Sequence, residues 1–522
     1  MSIRIALDNP PEFYTNLDFI QGRIILGLNR SENVGNIIVK LEGESRTALA
    51  LPRGDFENQP VSSVTSGDVV TENHKLLYLV QQVYPGGESG FASAAIGSMP
   101  GVLHPGQHEF RFRFKVPLNN ICSNPKAMAA LSGVGGLGAM SPGNGGLFGG
   151  YRIMDGSKQL MLRHVKTTLP PSLTGFPRQA EIRYYIKVTI QRPGFFKENW
   201  RYQTGFKFLP IEPPRPPKTS QEAFARRPFI FKPRTPLPQR KKKNNPFFSS
   251  KSSQAEEDVE TVPPSIEISA RLPHPTILTC NEPIPLRLIA KKIANSQEQV
   301  YLSSLEIALV GFTNIRVHDL QNTEVSRWLV CTTANLSIAL GSPQDAVDSE
   351  FVVPDALWAN IRMPNTVAPS FTGCNISRRY ELEMKVGLSW GLPSTSGKAT
   401  APYPQLIYLP LKLSKVEIYS GITPPRELLR SSTYRPQQSP PTLPPRTSVA
   451  PSRPQAQPQV QPSDPLYPPQ LGPNSTPYED APPSYDEAIA QDLTGPSERP
   501  AYSGVTAEND PSTMPPEKSG LH

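Results

Sequence analysis

The sequence predicts an all-β protein made of two tandem antiparallel β-sandwiches, followed by a disordered proline-rich tail. Apolar and polar residues alternate with a period of two in several runs of 1–420, and turn-forming residues separate these runs. In 421–522, 23 of the residues are proline. A strand with one buried face produces this alternation, and many short strands joined by turns are typical of sandwiches. The tail buries too little apolar surface to offset the entropy cost of ordering it.

The clearest strand is 110–116, in which three phenylalanines and a valine alternate with three cations. In a half-buried strand the apolar side chains share one face and the cations the other. The same alternation recurs in four further runs: 182–190, 284–288, 305–309 and 380–388. No long segment with a period of 3.6 occurs before residue 421, so we expect sheets rather than helices there.

The alternating runs form two blocks, which predict one sandwich in 1–211 and a second in 262–420. The segment 212–261 between them shows neither periodicity and is rich in proline and charge, so it is predicted to be a mobile linker. The glycine-rich stretch 117–150 predicts a long insertion between two strands. A phosphate-binding loop would need a helix after the glycines, and no helical pattern follows them.

Composition excludes several classes of protein. No run of 18 apolar residues is present, and the first residues do not match a secretory signal, so we expect neither a membrane-spanning helix nor secretion. Four cysteines, Cys122, Cys280, Cys331 and Cys374, form no C-x-x-C pair. This spacing fits a reducing cytosol and argues against a disulfide scaffold or a structural zinc site. No metal or cofactor is therefore predicted.

Charge is distributed unevenly along the chain. The net charge is +8, but 1–420 holds 46 Lys and Arg against 34 Asp and Glu, or +12, whereas 421–522 holds 7 against 11, or −4. A basic body suits an anionic membrane surface or an acidic peptide, although a merely soluble basic domain is an alternative. No helix-turn-helix, zinc-finger or RNP pattern is present, so no nucleic-acid partner is predicted.

The most specific motif lies in the tail. It consists of Pro482, Pro483, Ser484 and Tyr485, which match the PPxY pattern of WW-domain ligands. The prolines hold the backbone near polyproline II before binding, which reduces the entropy lost on docking to an aromatic groove. Tyr485 adds an apolar ring with a polar tip. Tyr485, Ile489 and Leu493 are spaced four residues apart, so a short helix is predicted to begin at the motif.

Weaker tail motifs accompany it. Pro441, Pro444 and Arg446 match PxxPxR, a possible SH3-domain ligand, although such matches are common in proline-rich sequence. Two P-x-Y copies, ending at Tyr467 and Tyr502, lack the first proline of the motif. These segments are weaker candidates for partner binding than the PPxY motif.

Nothing in the sequence supports catalysis, so we expect that the protein is not an enzyme. The seven histidines are scattered singly, and no nucleophile elbow, zinc-protease motif or P-loop occurs. Cys280 lies among apolar residues, as a small core residue does. A third class, a β-sandwich enzyme or carbohydrate-binding module, would need a carboxylate pair or an aromatic platform, and neither is recognisable.

The ordered runs together resemble an arrestin-related protein, an α-arrestin of the fungal kind. The similarity is carried by successive segments, which look like arrestin strands in the same order: 5–14, 20–24, 37–43, 108–117, 169–172 with 182–190, and 266–419. The insertion at 117–150 and the linker at 212–261 depart from the family pattern. No residue is recognisable as part of the polar core that some arrestins have.

This resemblance implies the arrestin fold, with two immunoglobulin-like sandwiches that recognise membrane cargo, a transporter or receptor. It also implies that the PPxY motif recruits a HECT-type ubiquitin ligase through its WW domains, which leads to ubiquitination and endocytosis of the cargo. The expected location is cytoplasmic, peripheral at the plasma membrane and endosomes. The alternative is an arrestin-like signalling scaffold, for example in the ambient-pH response, that binds a membrane sensor and endosomal-sorting or SH3 proteins.

Overall fold

The structure is a computed structural model, which describes most of the 522-residue chain. The described residues are 1–51, 69–85, 101–133, 156–176, 178–194, 197–234, 262–391, 404–433 and 485–502. They divide into two compact units. The first contains Met1–Pro424 and the described residues from Thr494 on, and the second is Pro425–Leu493.

The first sandwich belongs to the first unit, and its strands pair antiparallel. The strands are β1 (Ser2–Leu7), β2 (Phe19–Leu28), β3 (Glu32–Val34), β4 (Ile37–Ala50), β5 (Val69–Tyr84), β6 (Gly101–Leu103), β7 (Gly106–Lys115), β8 (Leu173–Phe176), β9 (Ala180–Ile190) and β10 (Trp200–Phe206). One sheet has the order β1-β2-β7 and the other β10-β9-β4-β5, with β8 beside β9 and a separate β3-β6 ribbon.

Alternation places the core of this sandwich between its two sheets. In β7 the side chains of Phe112 and Phe114 are buried, whereas Arg111 and Arg113 are exposed, as the pattern predicts. Phe114 lies opposite Ile20 of β2. Tyr184 of β9 is fully buried and donates its hydroxyl hydrogen bond to the Pro170 carbonyl (2.7 Å), which satisfies its polar tip within the core.

The second sandwich follows in the same unit. Its elements are β11 (Glu222–Ile230), β12 (Ser265–Pro273), β13 (Ile277–Thr279), β14 (Arg287–Lys292), β15 (Val300–Val317), β16 (Leu320–Thr333), β17 (Ile338–Ala339), β18 (Glu350–Val352), a 3₁₀ turn (Asp355–Leu357), β19 (Phe371–Thr372), β20 (Ile376–Trp390) and β21 (Gln405–Tyr419). One sheet has the order β11-β12-β14-β18. The other has the order β13-β21-β20-β15-β16, with β17 beside β15 and β19 beside β20. The β13-β21 pair is parallel, and the other pairs are antiparallel.

The predicted fold class, all-β with antiparallel sandwiches, is confirmed. The alternating apolar positions of β15 and β20 line the second core, where Leu382 lies opposite Leu309 and both side chains are fully buried. Burial of such a leucine contributes about 1.5–3 kcal/mol, so alternation over long strands accounts for much of the cohesion of the sheets. In the described part of the chain, no helix is long and apolar enough to span a membrane.

The prediction of an unstructured linker over 212–261 is wrong at Glu222–Ile230, which forms β11. This strand pairs with β12 at the edge of its sheet. Pro228 obscured its pattern, because proline lacks the N–H of a ladder hydrogen bond, but an edge strand tolerates that loss. Immediately after the strand, Phe231 is fully buried 6.0 Å from the ring of Trp390. Residues 235–261 lie outside the described part.

Within the described residues, four short α-helices occur, of which the sequence predicted only the last. Helix α1 (Pro125–Gly133) lies inside the predicted insertion 117–150, and helix α2 (Gly156–Leu160) follows it. In the second unit, α3 (Arg426–Thr433) and α4 (Tyr485–Asp492) give parts of the proline-rich tail a regular structure. The helix predicted to begin at Tyr485 is therefore present. Residues 134–155 and 434–484 lie outside the described part.

The buried side chain after β11 gives a stability prediction. Phe231→Ala should lower the free energy of unfolding of the second sandwich by about 3–5 kcal/mol, because it leaves a cavity against Trp390. Phe224 of the same segment is 58% exposed, so Phe224→Ala should change stability by about 0.5 kcal/mol or less. Urea unfolding followed by tryptophan fluorescence measures both. Equal, small effects would show that this segment does not belong to the core.

Candidate functional site

The predicted partner motifs lie mostly outside the described residues. Pro482, Pro483 and Ser484 fall outside the described part, as do Pro441, Pro444 and Arg446 of the SH3 pattern. Tyr485 is the first residue of α4. The PPxY motif thus ends where a helix starts, which agrees with the spacing argument, whereas its binding role stays a prediction.

The chain beyond α4 returns to the sandwiches and is anchored there by Arg499. Arg499 Nη2 donates hydrogen bonds to both carboxylate oxygens of Asp18 (2.8 and 2.9 Å), and Nη1 donates to the Phe13 carbonyl (2.7 Å). Asp18 is largely buried just before β2. Charge-assisted hydrogen bonds of this kind are among the stronger polar contacts in proteins. We call residues 494–502 the tail anchor.

Apolar and backbone contacts extend the tail anchor over both sandwiches. Tyr502 is buried against Phe13, with ring centroids 5.8 Å apart in an edge-to-face arrangement. The Ala501 carbonyl accepts hydrogen bonds from Asn281 and Asn365 of the second sandwich. The tail anchor therefore contacts both sandwiches. The weak P-x-Y copy that ends at Tyr502 lies in this packed segment.

Burial and charge set the protonation of the anchor residues. Burial raises the pKa of Asp18 above its usual range, although the Thr15 backbone N–H and Arg499 oppose this shift. Burial, together with the nearby Asp18 charge, raises the pKa of Tyr14 to about 12. The Asp18 carboxylate therefore depends on Arg499 for its charge partner.

A second polar site joins the two sandwiches, and we call it the junction. Glu72 of β5 is completely buried, and its carboxylate accepts hydrogen bonds from both terminal nitrogens of Arg316 in β15 (2.8 and 3.2 Å). Beside it, the Ser45 hydroxyl donates to Asn375 Oδ1 (2.6 Å), and Asn375 Nδ2 donates to Thr47 Oγ1 (3.0 Å). Buried polar groups at a boundary stabilise one relative orientation, since any displacement leaves them without partners.

Electrostatics at the junction favour the ionised form of Glu72. Burial acts to raise the pKa of Glu72, but hydrogen bonds from His74 and the His318 backbone, with the charge of Arg316, outweigh burial and lower it. The carboxylate is therefore charged at neutral pH, which keeps the Arg316 pair intact.

The sheet of the first sandwich carries a further charged cluster on β4, β5 and β9. Lys75 is buried and pairs with Glu42, and Arg183 pairs with Glu44 (2.5 Å). Burial acts to raise the pKa of Glu44, but Lys75 and Arg183 lower it to about 2. These cations already have acidic partners, so they contribute little to a basic binding surface.

Two comparisons with known proteins bear on this fold. Residues 3–136 match the family described as arrestin (or S-antigen), N-terminal domain. The chain is also 32% identical over 127 residues to a protein named arrestin-related trafficking adapter 10 from Lachancea thermotolerans. That alignment covers 23% of this chain and 28% of the relative, so the chain spans about a quarter of the length of the curated relative it matches. The resemblance predicted from the sequence is confirmed.

Sequence reasoning missed the anchor and junction residues. Asp18 and Arg499 are 481 positions apart, and Glu72 and Arg316 are 244 apart, so no local spacing relates them. The structure also places Gly495 against Asp18. A Cβ there would lie 2.1 Å from Asp18 Oδ1, so only glycine allows this close approach.

Loss of the Arg499 guanidinium should release the tail anchor. Arg499→Ala removes charge-assisted hydrogen bonds worth about 1.5–3 kcal/mol, so amides of 494–502 should exchange with solvent about tenfold faster or more. Hydrogen exchange read by mass spectrometry on the full chain measures this. Glu498→Ala, at an exposed position of the same segment, serves as the matched control. Unchanged exchange in Arg499→Ala would contradict the anchoring role.

Proposed function

We propose that this chain is an arrestin-related trafficking adaptor that brings a ubiquitin ligase to membrane cargo. The observation that carries the proposal is the combination of an arrestin-type N-terminal domain over residues 3–136 with a PPxY motif that ends at helix α4. The chain is similar over 127 residues to a protein named arrestin-related trafficking adapter 10, and the PPxY motif matches the ligand pattern of WW domains.

The ligase proposed is a HECT-type enzyme whose WW domains bind Pro482, Pro483 and Tyr485. The two prolines preform the extended backbone, and the tyrosine ring supplies an apolar group with a polar tip. Helix α4 begins at Tyr485, which follows the prolines by two positions in the sequence. Ser484 is the variable position of the motif.

The position of the motif along the chain supports a tethering mechanism. The unit Pro425–Leu493 contains the motif, and both of its ends continue into the unit that holds the sandwiches. A ligase bound there stays close to cargo bound by the sandwiches. Linkage of this kind raises the effective concentration of the ligase at the cargo, to the millimolar range for short flexible linkers. This favours ubiquitin transfer and subsequent endocytosis.

The proposed cargo is a plasma-membrane transporter or receptor, and the proposed location is cytoplasmic, peripheral at the plasma membrane and endosomes. The excess of 12 positive charges in 1–420 favours contact with an anionic lipid surface or an acidic cargo segment. Salt-sensitive binding of the full chain to vesicles that contain phosphatidylserine would support the lipid contact.

The motif makes a direct prediction about ligase binding. Tyr485→Ala in the full chain should weaken binding to an isolated WW domain of a HECT-type ligase by about 30-fold, because a buried aromatic anchor is typically worth about 2 kcal/mol or more. Isothermal titration calorimetry measures the dissociation constant. Tyr467→Ala changes the degenerate P-x-Y copy in the same tail and should leave the affinity unchanged.

The same series separates the proposal from the signalling-scaffold alternative. Full WW binding by Tyr485→Ala would remove the main support for the adaptor. If deletion of 441–446 abolishes SH3-protein binding and deletion of 482–485 has no effect on cargo turnover, the scaffold is favoured instead.

A further inference from the structure

Four side chains that are far apart in the sequence meet beside the junction. They are His74 of β5, Cys122 in the turn before α1, His164 after α2 and Cys374 between β19 and β20. Their possible ligand atoms all lie within 4.8 Å of one another. The two sulfur atoms are 3.5 Å apart, and both thiols are buried.

Both histidines present an unpaired ring nitrogen in this cluster. His74 Nε2 is 2.6 Å from Glu72 Oε1, and His164 Nε2 is 2.6 Å from the Gln159 carbonyl. Within the described residues, neither Nδ1 atom has a hydrogen-bond partner, although the His74 side chain is completely buried. A buried polar atom without a partner is costly, so these two ring nitrogens are available to bind a ligand.

We propose that His74, Cys122, His164 and Cys374 bind one zinc ion. Two thiolates and two imidazoles form a common tetrahedral donor set for zinc, with Zn–S distances of about 2.3 Å and Zn–N distances of about 2.0–2.1 Å. In such a tetrahedron the two sulfur atoms lie about 3.8 Å apart, close to the separation seen here. Protein atoms fill all four positions, so the site is structural rather than catalytic.

The surrounding contacts orient the ligands in the way that zinc sites require. A ligating histidine usually donates its other ring N–H to a carboxylate or carbonyl, which fixes its tautomer. Here the Glu72 carboxylate accepts the hydrogen bond of His74, and the Gln159 carbonyl accepts that of His164. The backbone N–H of Val165 donates to Cys374 Sγ (3.4 Å), which stabilises a thiolate. Each Nδ1 is then left for the metal.

Zinc here links the two sandwiches. His74, Cys122 and His164 come from the first sandwich and its insertion, whereas Cys374 precedes β20 of the second and adjoins Asn375 of the junction. The sequence argued against a zinc site because no two ligands have the close spacing of a zinc motif. The fold supplies the proximity that the spacing does not.

Metal content of the full chain tests the site directly. Protein purified under reducing conditions, without a metal-affinity step, should contain about one zinc ion per chain. Inductively coupled plasma mass spectrometry measures this content. Cys374→Ser and His164→Gln should reduce zinc to background. Cys280→Ser changes another buried cysteine, outside the cluster, and should keep the metal.

Cobalt binding keeps the test valid if a variant folds poorly. Wild-type chain stripped of metal by a chelator should bind Co²⁺ one to one, with the visible absorption of a tetrahedral thiolate complex. Absence of both zinc and this spectrum would overturn the proposal, as would a Cys122–Cys374 disulfide in unreduced peptides of freshly purified protein. Equal loss of zinc in Cys280→Ser would also overturn it. None of these outcomes depends on WW-domain binding.

Discussion

The buried pair of Glu72 and Arg316 is the interaction on which the arrangement of the two sandwiches depends. A buried carboxylate is costly to remove from water, and its attraction to one cation repays that cost only with good geometry and further hydrogen bonds. Here both oxygens are bound, and the neighbouring amide of Asn375 satisfies groups of the first sandwich. Removal of either partner would leave an isolated charge, so the junction specifies one orientation of the sandwiches.

The tail anchor adds a second connection across the same body. It reaches Asp18 on the first sandwich and Asn281 on the second, so the chain is fixed again after leaving the sandwiches at residue 424. Along the sequence, the PPxY motif lies between residue 424 and the tail anchor. If the chain acts as the proposed adaptor, this position tethers the ligase-binding motif to the sandwiches.

Much of the fold was predictable because the two-residue period is a direct consequence of strands with one buried face. Phe112 and Phe114 are buried as their alternation requires, and Leu382, Met384 and Val386 of β20 repeat the pattern. The prediction was wrong at β11, where Pro228 interrupts the alternation on an edge strand. It also missed α1, whose small residues carry little amphipathic pattern. Edge strands and short helices are stabilised by tertiary contacts more than by local preference.

The sequence by itself determined the strand-rich class, the family resemblance and the PPxY motif, because each depends on neighbouring residues along the chain. A polyproline segment followed by a tyrosine needs no partner from elsewhere to be recognised. Only the tertiary structure decided the junction, the tail anchor and the His and Cys cluster. Asp18 and Arg499 are separated by 481 positions in the sequence, and Cys122 and Cys374 by 252 positions. Such pairs leave no local pattern, since chain folding alone brings them together.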